Sequence, residues 1–225
     1  KHLTFSELED LSNFYAFIFK KEGLKIGDKV LLFVRPSLDF PALTFALYKI
    51  GAIPILIDPG MGKKNLLNSI SQVEPIALIA VQEVHLIRQF YPESFKSCKK
   101  FISTGTLSLP ETQTLHSLKA KWIDEFTKSP LLSIEKRQPQ DIASILFTSG
   151  GTGIPKGVAY TQKIFASQVN MLREMFALTP DEVDLPGFPL FSLLTVAIGM
   201  TSCIPDMNPS KPAKANPKKL IQNIK

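Results

Sequence analysis

Short apolar runs at residues 29–34, 53–57 and 77–81 alternate with stretches whose apolar residues recur at helical spacing. Runs of that length without polar alternation read as strands buried on both faces, the condition of a parallel sheet. Parallel strands need crossovers of a dozen or more residues, and the intervening stretches supply them. Leu8, Leu11, Tyr15, Ile18 and Phe19 make the first helical stripe, with Gly23 as its stop. Ser37 is the expected cap of the next helix, in which Leu43, Leu47 and Ile50 face the core until Gly51 ends it. Leu66, Leu67 and Ile70 mark a helix over 63–73, and another is expected over 84–90. This rhythm predicts an α/β fold, a parallel-rich sheet layered between helices.

A further apolar run, residues 144–147, ends differently. It leads into Thr148, Ser149, Gly150, Gly151, Thr152, Gly153, Ile154, Pro155, Lys156 and Gly157, after which Val158, Ala159 and Tyr160 turn apolar again. A buried strand leaves the sheet, makes a glycine-dense bend and returns as a second strand. Glycines let backbone N–H groups approach an anion and permit the positive φ angles of such a bend. The hydroxyls of Thr148, Ser149 and Thr152 can donate hydrogen bonds, and Lys156 adds a full positive charge. These are the parts of a phosphate cradle. Two other phosphate loops fail on spacing: Lys156 lies between Pro155 and Gly157 rather than in G-K-[ST], and it occupies the third glycine position of a dinucleotide fingerprint. Pro155 and the β-prone residues 157–161 also oppose a helix starting at the loop. On residue types alone, a β-hairpin with a solvated lysine stays open beside the cradle.

Over this stretch the chain resembles the adenylate-forming superfamily of acyl-CoA synthetases, peptide-synthetase adenylation domains and luciferases, whose signature is T-S-G-[ST]-T-G-x-P-K-G. Residues 148–157 match it at every place but Gly151, where the superfamily carries Ser or Thr. The missing hydroxyl removes one phosphate donor, about 1 kcal/mol, and leaves the backbone N–H, so weaker ATP binding rather than none is expected. Residues 27–30 and 49–59 resemble the superfamily's first blocks, which build the sheet and take no part in catalysis. Residues 60–66, 183–191 and 199–207 resemble the olefin-pathway β-lactone synthetases within it. Many members follow P-L-F with a histidine, where this chain has Ser192.

The resemblance implies an AMP-producing ligase that uses ATP to activate a fatty or β-hydroxy fatty acid as its acyl-adenylate, with CoA as one possible acceptor. Thr148 and Lys156 are its expected catalytic residues, and Thr148, Ser149, Gly150, Gly151, Thr152, Gly153 and Lys156 are expected around the β- and γ-phosphates. Residues 188–191 are expected to border the acyl or adenine pocket. Two alternatives stand beside this reading: a β-lactone synthetase, in which the substrate's own hydroxyl displaces AMP, and a non-catalytic module that docks nucleotide or a partner. The superfamily's Y-G-x-T-E motif, ribose-binding Asp and late lysine are not found in the 225 residues, so Mg²⁺ ligands are expected outside them. The chain accordingly reads as an N-terminal portion, inactive alone, with 1–140 as a first α/β subdomain and 141–225 as the phosphate-loop segment and the start of a second.

Composition narrows the remaining possibilities. With 44% hydrophobic residues the chain can bury a sizeable core. Its net charge is +6, and Lys211, Lys214, Lys218, Lys219 and Lys225 have no interleaved aromatics, so they read as a solvated tail and not as a nucleic-acid surface. Cys98 and Cys203 fit reduced thiols in a cytoplasmic protein better than a disulfide scaffold. Residues 185–205 are uncharged and long enough to cross a bilayer, yet Pro186, Gly187 and Pro189 open the stretch. It is read as strand, buried helix and strand, the first strand running over 184–191. Residues 104–115 read as a surface loop, and helices are expected over 118–126 and from residue 162. The chain begins at Lys1 without a signal-peptide pattern.

Overall fold

A computed structural model describes residues 2–107, 109–128, 133–148 and 155–224. Helix α1 (Phe5–Lys21) starts from a capping box: the Thr4 hydroxyl accepts from the Glu7 N–H at 3.2 Å, and the Glu7 carboxylate accepts from the Thr4 N–H at 2.7 Å. The Thr4 N–H, and after it the Thr4 hydroxyl, which donates to the same carboxylate at 2.9 Å, hold the Glu7 carboxyl below its ordinary pKa range. After Gly23, at φ +81°, the chain enters strand β1 (Lys29–Phe33) and helix α2 (Asp39–Lys49). Ser37 does not cap α2 with its side chain. Leu38 is already right-handed helical and takes the cap position, and Ser37 contributes only its carbonyl, which accepts from the Phe40 N–H.

Strand β1 lies at the middle of a seven-stranded sheet. It pairs in parallel with β2 (Ile53–Ile57) on one side and with β3 (Ala77–Ala80) on the other. Beyond β3 come β4 (Lys100–Ser103) and the two-residue β5 (Gln113–Thr114); beyond β2 comes β6 (Ile142–Thr148), all parallel, and then antiparallel β7 (Lys156–Thr161). β5 lies inside the stretch expected to be loop. Gln113 and Thr114 carry no apolar pattern, and the pairing of Gln113 with Ile102 is a tertiary choice that local sequence does not announce.

Side chains alternate between two cores. Val30, Leu32, Ala77 and Ile79 face a core completed by α1, α2 and α5 (Leu115–Lys128). Leu31, Phe33, Ile55, Ile57 and Leu78 face a second core, completed by Ile70 and Val73 of α3 (Lys63–Val73) and by Phe95 and Cys98, with Val84 of α4 (Gln82–Phe90) at its margin. The chain moves from β1 to β2 across the first face by α2, then back past β1 to β3 across the second face by α3. Reversal of direction together with change of face keeps one hand of crossover. The expected helix over 63–73 and strand over 53–57 are found with those bounds.

Residues 162–224 add α6 (Gln162–Phe176), β8 (Val183–Asp184), α7 (Pro189–Ile198), β9 (Thr201–Ser202) and α8 (Pro217–Ile224), with β8 and β9 paired in parallel. Of the strand expected over 184–191, only Asp184 is in a sheet, as the second residue of β8. Pro189 instead opens α7, where its fixed φ and missing N–H suit the first helical position. In the lysine-rich end Lys211, Lys214, Lys218 and Lys219 are exposed, as expected, but α8 forms there and Lys219 pairs with Asp206 at 2.8 Å; Lys225 lies outside the described residues. Among the described residues no helix is long and apolar enough to cross a membrane.

Candidate functional site

The sheet register brings the chemistry-bearing residues of the glycine-rich stretch to one edge. Ile57 of β2 pairs with Phe147 of β6, so Asp58 follows on beside Thr148; across the antiparallel pair, Thr148 is opposite Lys156. Asp58, Thr148 and Lys156 thus stand in a row at the end where the parallel strands finish, the end at which open α/β sheets bind ligands. Lys156 is exposed and opens β7. Ser149, Gly150, Gly151, Thr152 and Gly153 lie outside the described residues, and Thr148 is described by its place in β6 alone.

Three contacts fix this edge. The Tyr48 and Ser144 hydroxyls are 2.8 Å apart and tie α2 to β6; burial pushes the Tyr48 phenol up to about 12, although the bond to Ser144 acts the other way. Tyr48 and Tyr160 both pack on Phe165, with ring centroids 6.2 and 5.3 Å from it, and so hold α6 against the hairpin. Gly157 is required by close approach: a Cβ there would lie 3.0 Å from Cζ of Phe147 and 3.3 Å from Cγ2 of Ile145. The glycine after Lys156 therefore lets β7 lie down over the Phe147 ring, which sets where the lysine emerges.

Asp58 extends the site in a way the sequence did not signal. Its Oδ1 accepts from the Gly60 N–H at 2.8 Å and from the Ser210 hydroxyl at 2.7 Å. Ser210 is 152 residues away, and no local pattern marks the pair. The clasp brings Lys211, exposed, to the end of the strand beside the one from which the glycine-rich stretch departs. No group of three or more His, Cys, Asp or Glu able to hold a metal ion occurs among the described residues.

A cavity of about 670 Å³ lies elsewhere, between the start of α1, residues 36–41 and residues 186–209. Phe5, Leu8, Phe40, Val196, Met200 and Ile204 make it largely apolar, and Ser192 lines it where superfamily members often carry histidine. No described residue lining it belongs to β6 or β7. Of the segment expected to border a pocket, Pro189 lines this cavity, while Phe188 and Phe191 pack edge to face at 5.9 Å and are exposed. Cys203 also lines the cavity; Cys98 is buried in the second core, where desolvation pushes its thiol up to about 12.

The whole chain, residues 1–225, matches the family model described as AMP-binding enzyme. It is 36% identical over 218 residues to an olefin β-lactone synthetase of Xanthomonas campestris and 35% identical over 222 residues to one of Stenotrophomonas maltophilia. These alignments cover 97% and 99% of the chain but 38% and 39% of the two relatives, so the chain spans well under half the length of the curated proteins it matches. Among solved structures, the anthranilate CoA ligase AuaEII in complex with anthranoyl-AMP is similar at TM-score 0.77 and 18% identity, over 92% of this chain and 41% of that one. ATP-bound MatB from Rhodopseudomonas palustris is similar at TM-score 0.74 and 21% identity, over 99% and 42%. At such identities these likenesses show the fold alone.

Proposed function

We propose, because the chain belongs to the AMP-binding enzyme family, that its protein is an adenylate-forming ligase that activates a fatty or β-hydroxy fatty acid with ATP. A carboxylate attacks the α-phosphorus, the bond to the β-phosphate oxygen breaks, and pyrophosphate leaves. The protein must hold two anions together and neutralise charge that grows on the departing pyrophosphate. Residues 148–156 suit the second requirement, since Thr148, Ser149, Gly150, Gly151, Thr152 and Gly153 bring hydroxyl and backbone donors, and Lys156 brings charge. We assign no step to Mg²⁺, whose ligands are expected outside these residues. The division into a unit over 1–140 and a second over 141–225 is part of the same proposal.

One observation carries the reading: a stretch matching the superfamily signature joins two strands at the binding edge of the sheet, and its lysine emerges there exposed. Replacing Lys156 by alanine in the protein should lower ATP–pyrophosphate exchange by about tenfold or more, mainly through weaker use of ATP. An unchanged exchange rate removes the assignment. The similarity to two olefin β-lactone synthetases over almost the whole chain favours a β-hydroxy acid whose own hydroxyl displaces AMP. Product analysis with a β-hydroxy fatty acid, with and without CoA, separates lactone from thioester; a strict CoA requirement removes the lactone reading.

A further inference from the structure

Helix α4 is built inside out. Its buried residues are His85, fully buried, and Arg88, 9% exposed, with Val84 half-buried against the second core, whereas Leu86, Ile87 and Phe90 are 44%, 40% and 78% exposed. The inversion has a local cause. The Arg88 guanidinium lies 3.8 Å from the centre of the Phe101 ring and donates to the Pro110 carbonyl and the Thr112 hydroxyl at 2.7 and 3.1 Å. His85 Nε2 donates to the Ile102 carbonyl at 3.1 Å. These two polar side chains anchor β4 and residues 110–112, which lead into β5, so α4 must turn them inward. With 3.6 residues per turn, positions 86, 87 and 90 are then left on the outer side. None of the three belongs to either core or packs against one among the described residues.

We propose that this face of α4 docks on an anionic phospholipid surface. Size argues for a lipid occupant. Nine residues of helix are about 13 Å long, and three side chains on it fall well short of the roughly 800 Å² per partner that a stable protein pair buries. A lipid surface asks for no matching shape and takes such side chains a few ångströms into the headgroup and acyl boundary.

Charge argues for an anionic one. At the C-terminal end of α4, Phe90 is followed by Tyr91, whose hydroxyl accepts from Lys63 Nζ at 2.8 Å while the ammonium lies 5.1 Å from the ring centre. Lys64 is next to Lys63, and Lys96 follows the 3-10 turn Pro92–Phe95; both are exposed, against the single acid Glu93 of that turn. At the N-terminal end Arg35 is paired with Glu83 at 2.6 Å, so charge there cancels. Aromatic residues at headgroup depth with ammonium groups beside them match an anionic leaflet, each near-surface Lys contributing about 1 kcal/mol.

The test needs no nucleotide and so stands apart from the proposed ligase chemistry. The full chain is sedimented with phosphatidylcholine vesicles that do or do not contain phosphatidylglycerol. Binding to the anionic vesicles, weakened by salt, is expected, and Leu86→Asp/Phe90→Asp should lower the partition coefficient about tenfold or more. Both positions are exposed, and an unchanged circular dichroism melt confirms the fold; Lys63→Glu, a milder variant, should lower binding to anionic vesicles only. No binding to phosphatidylglycerol vesicles, or equal partition of wild type and double variant, overturns the proposal. So does a dimer in sedimentation velocity that the double variant dissociates, which assigns the face to a second copy.

Discussion

From α1 to β6, large apolar side chains such as Phe19, Leu31, Leu43 and Leu78 are fully buried; from α6 to α8, Met175, Phe176, Ile221 and Ile224 face solvent. Neither α6 nor α8 has a buried residue. The second region is held mostly by polar ties: the Thr195 hydroxyl donates to Asp184 at 2.8 Å, the Asn223 side-chain oxygen accepts from the Asp206 N–H at 2.9 Å, and Ser210 reaches Asp58. Helix α7 is the exception, since Leu193 joins the first core. The difference separates stability from chemistry. Burial in the first region sets whether the chain folds, and the candidate site lies on its margin, where β6 is inside the sheet and β7 is an exposed edge.

The contrast breaks most directly through the first core. Phe19→Ala removes a fully buried ring between α1 and α2 and should cost about 3–5 kcal/mol, read from the shift of a guanidinium unfolding curve. A loss below about 1 kcal/mol would mean that the first core is far looser than its burial implies.

A smaller effect, about 1–3 kcal/mol, is expected at the margin from Gly157→Ala, because the new Cβ meets the Phe147 ring and the strand or the ring must move. Phe147→Leu shortens the obstructing side chain. The two changes should therefore be non-additive, the double variant being less destabilised than the sum by about 1 kcal/mol. Strict additivity would show that Gly157 is not there to admit Phe147.

How far the sequence reaches follows the same division. Strands such as Ile53–Ile57 and helices such as α3 were legible because each carries its own apolar pattern, and burial rewards that pattern directly. Where position depends on a distant partner, local reading failed. Ser37 lost its capping role because Leu38 takes the cap position, β5 exists only because Gln113 meets Ile102, and α7 begins where a strand was expected because Pro189 fits its first turn. At the site, the opposition of Thr148 and Lys156 follows from reading the stretch as a strand, bend and strand. The packing of Gly157 on Phe147 could have been sought, since a glycine in a strand signals close approach. The Asp58–Ser210 clasp could not, because hydrogen bonds between distant polar residues leave no periodic trace.

The weakest effect should come from the second region, and it is the sharpest test of the contrast. Ile221 lies on α8, half exposed at 52%, and belongs to neither core. Exposed substitutions of this kind usually change stability by no more than about 0.5 kcal/mol, and isoleucine and serine have about the same helix propensity. Ile221→Ser should therefore leave the unfolding midpoint of the chain almost where it was, while Phe19→Ala moves it far. A loss above about 1 kcal/mol would mean that the apolar stripe of α8 is covered in solution, and the two regions would then differ in which partners cover them rather than in whether they are covered.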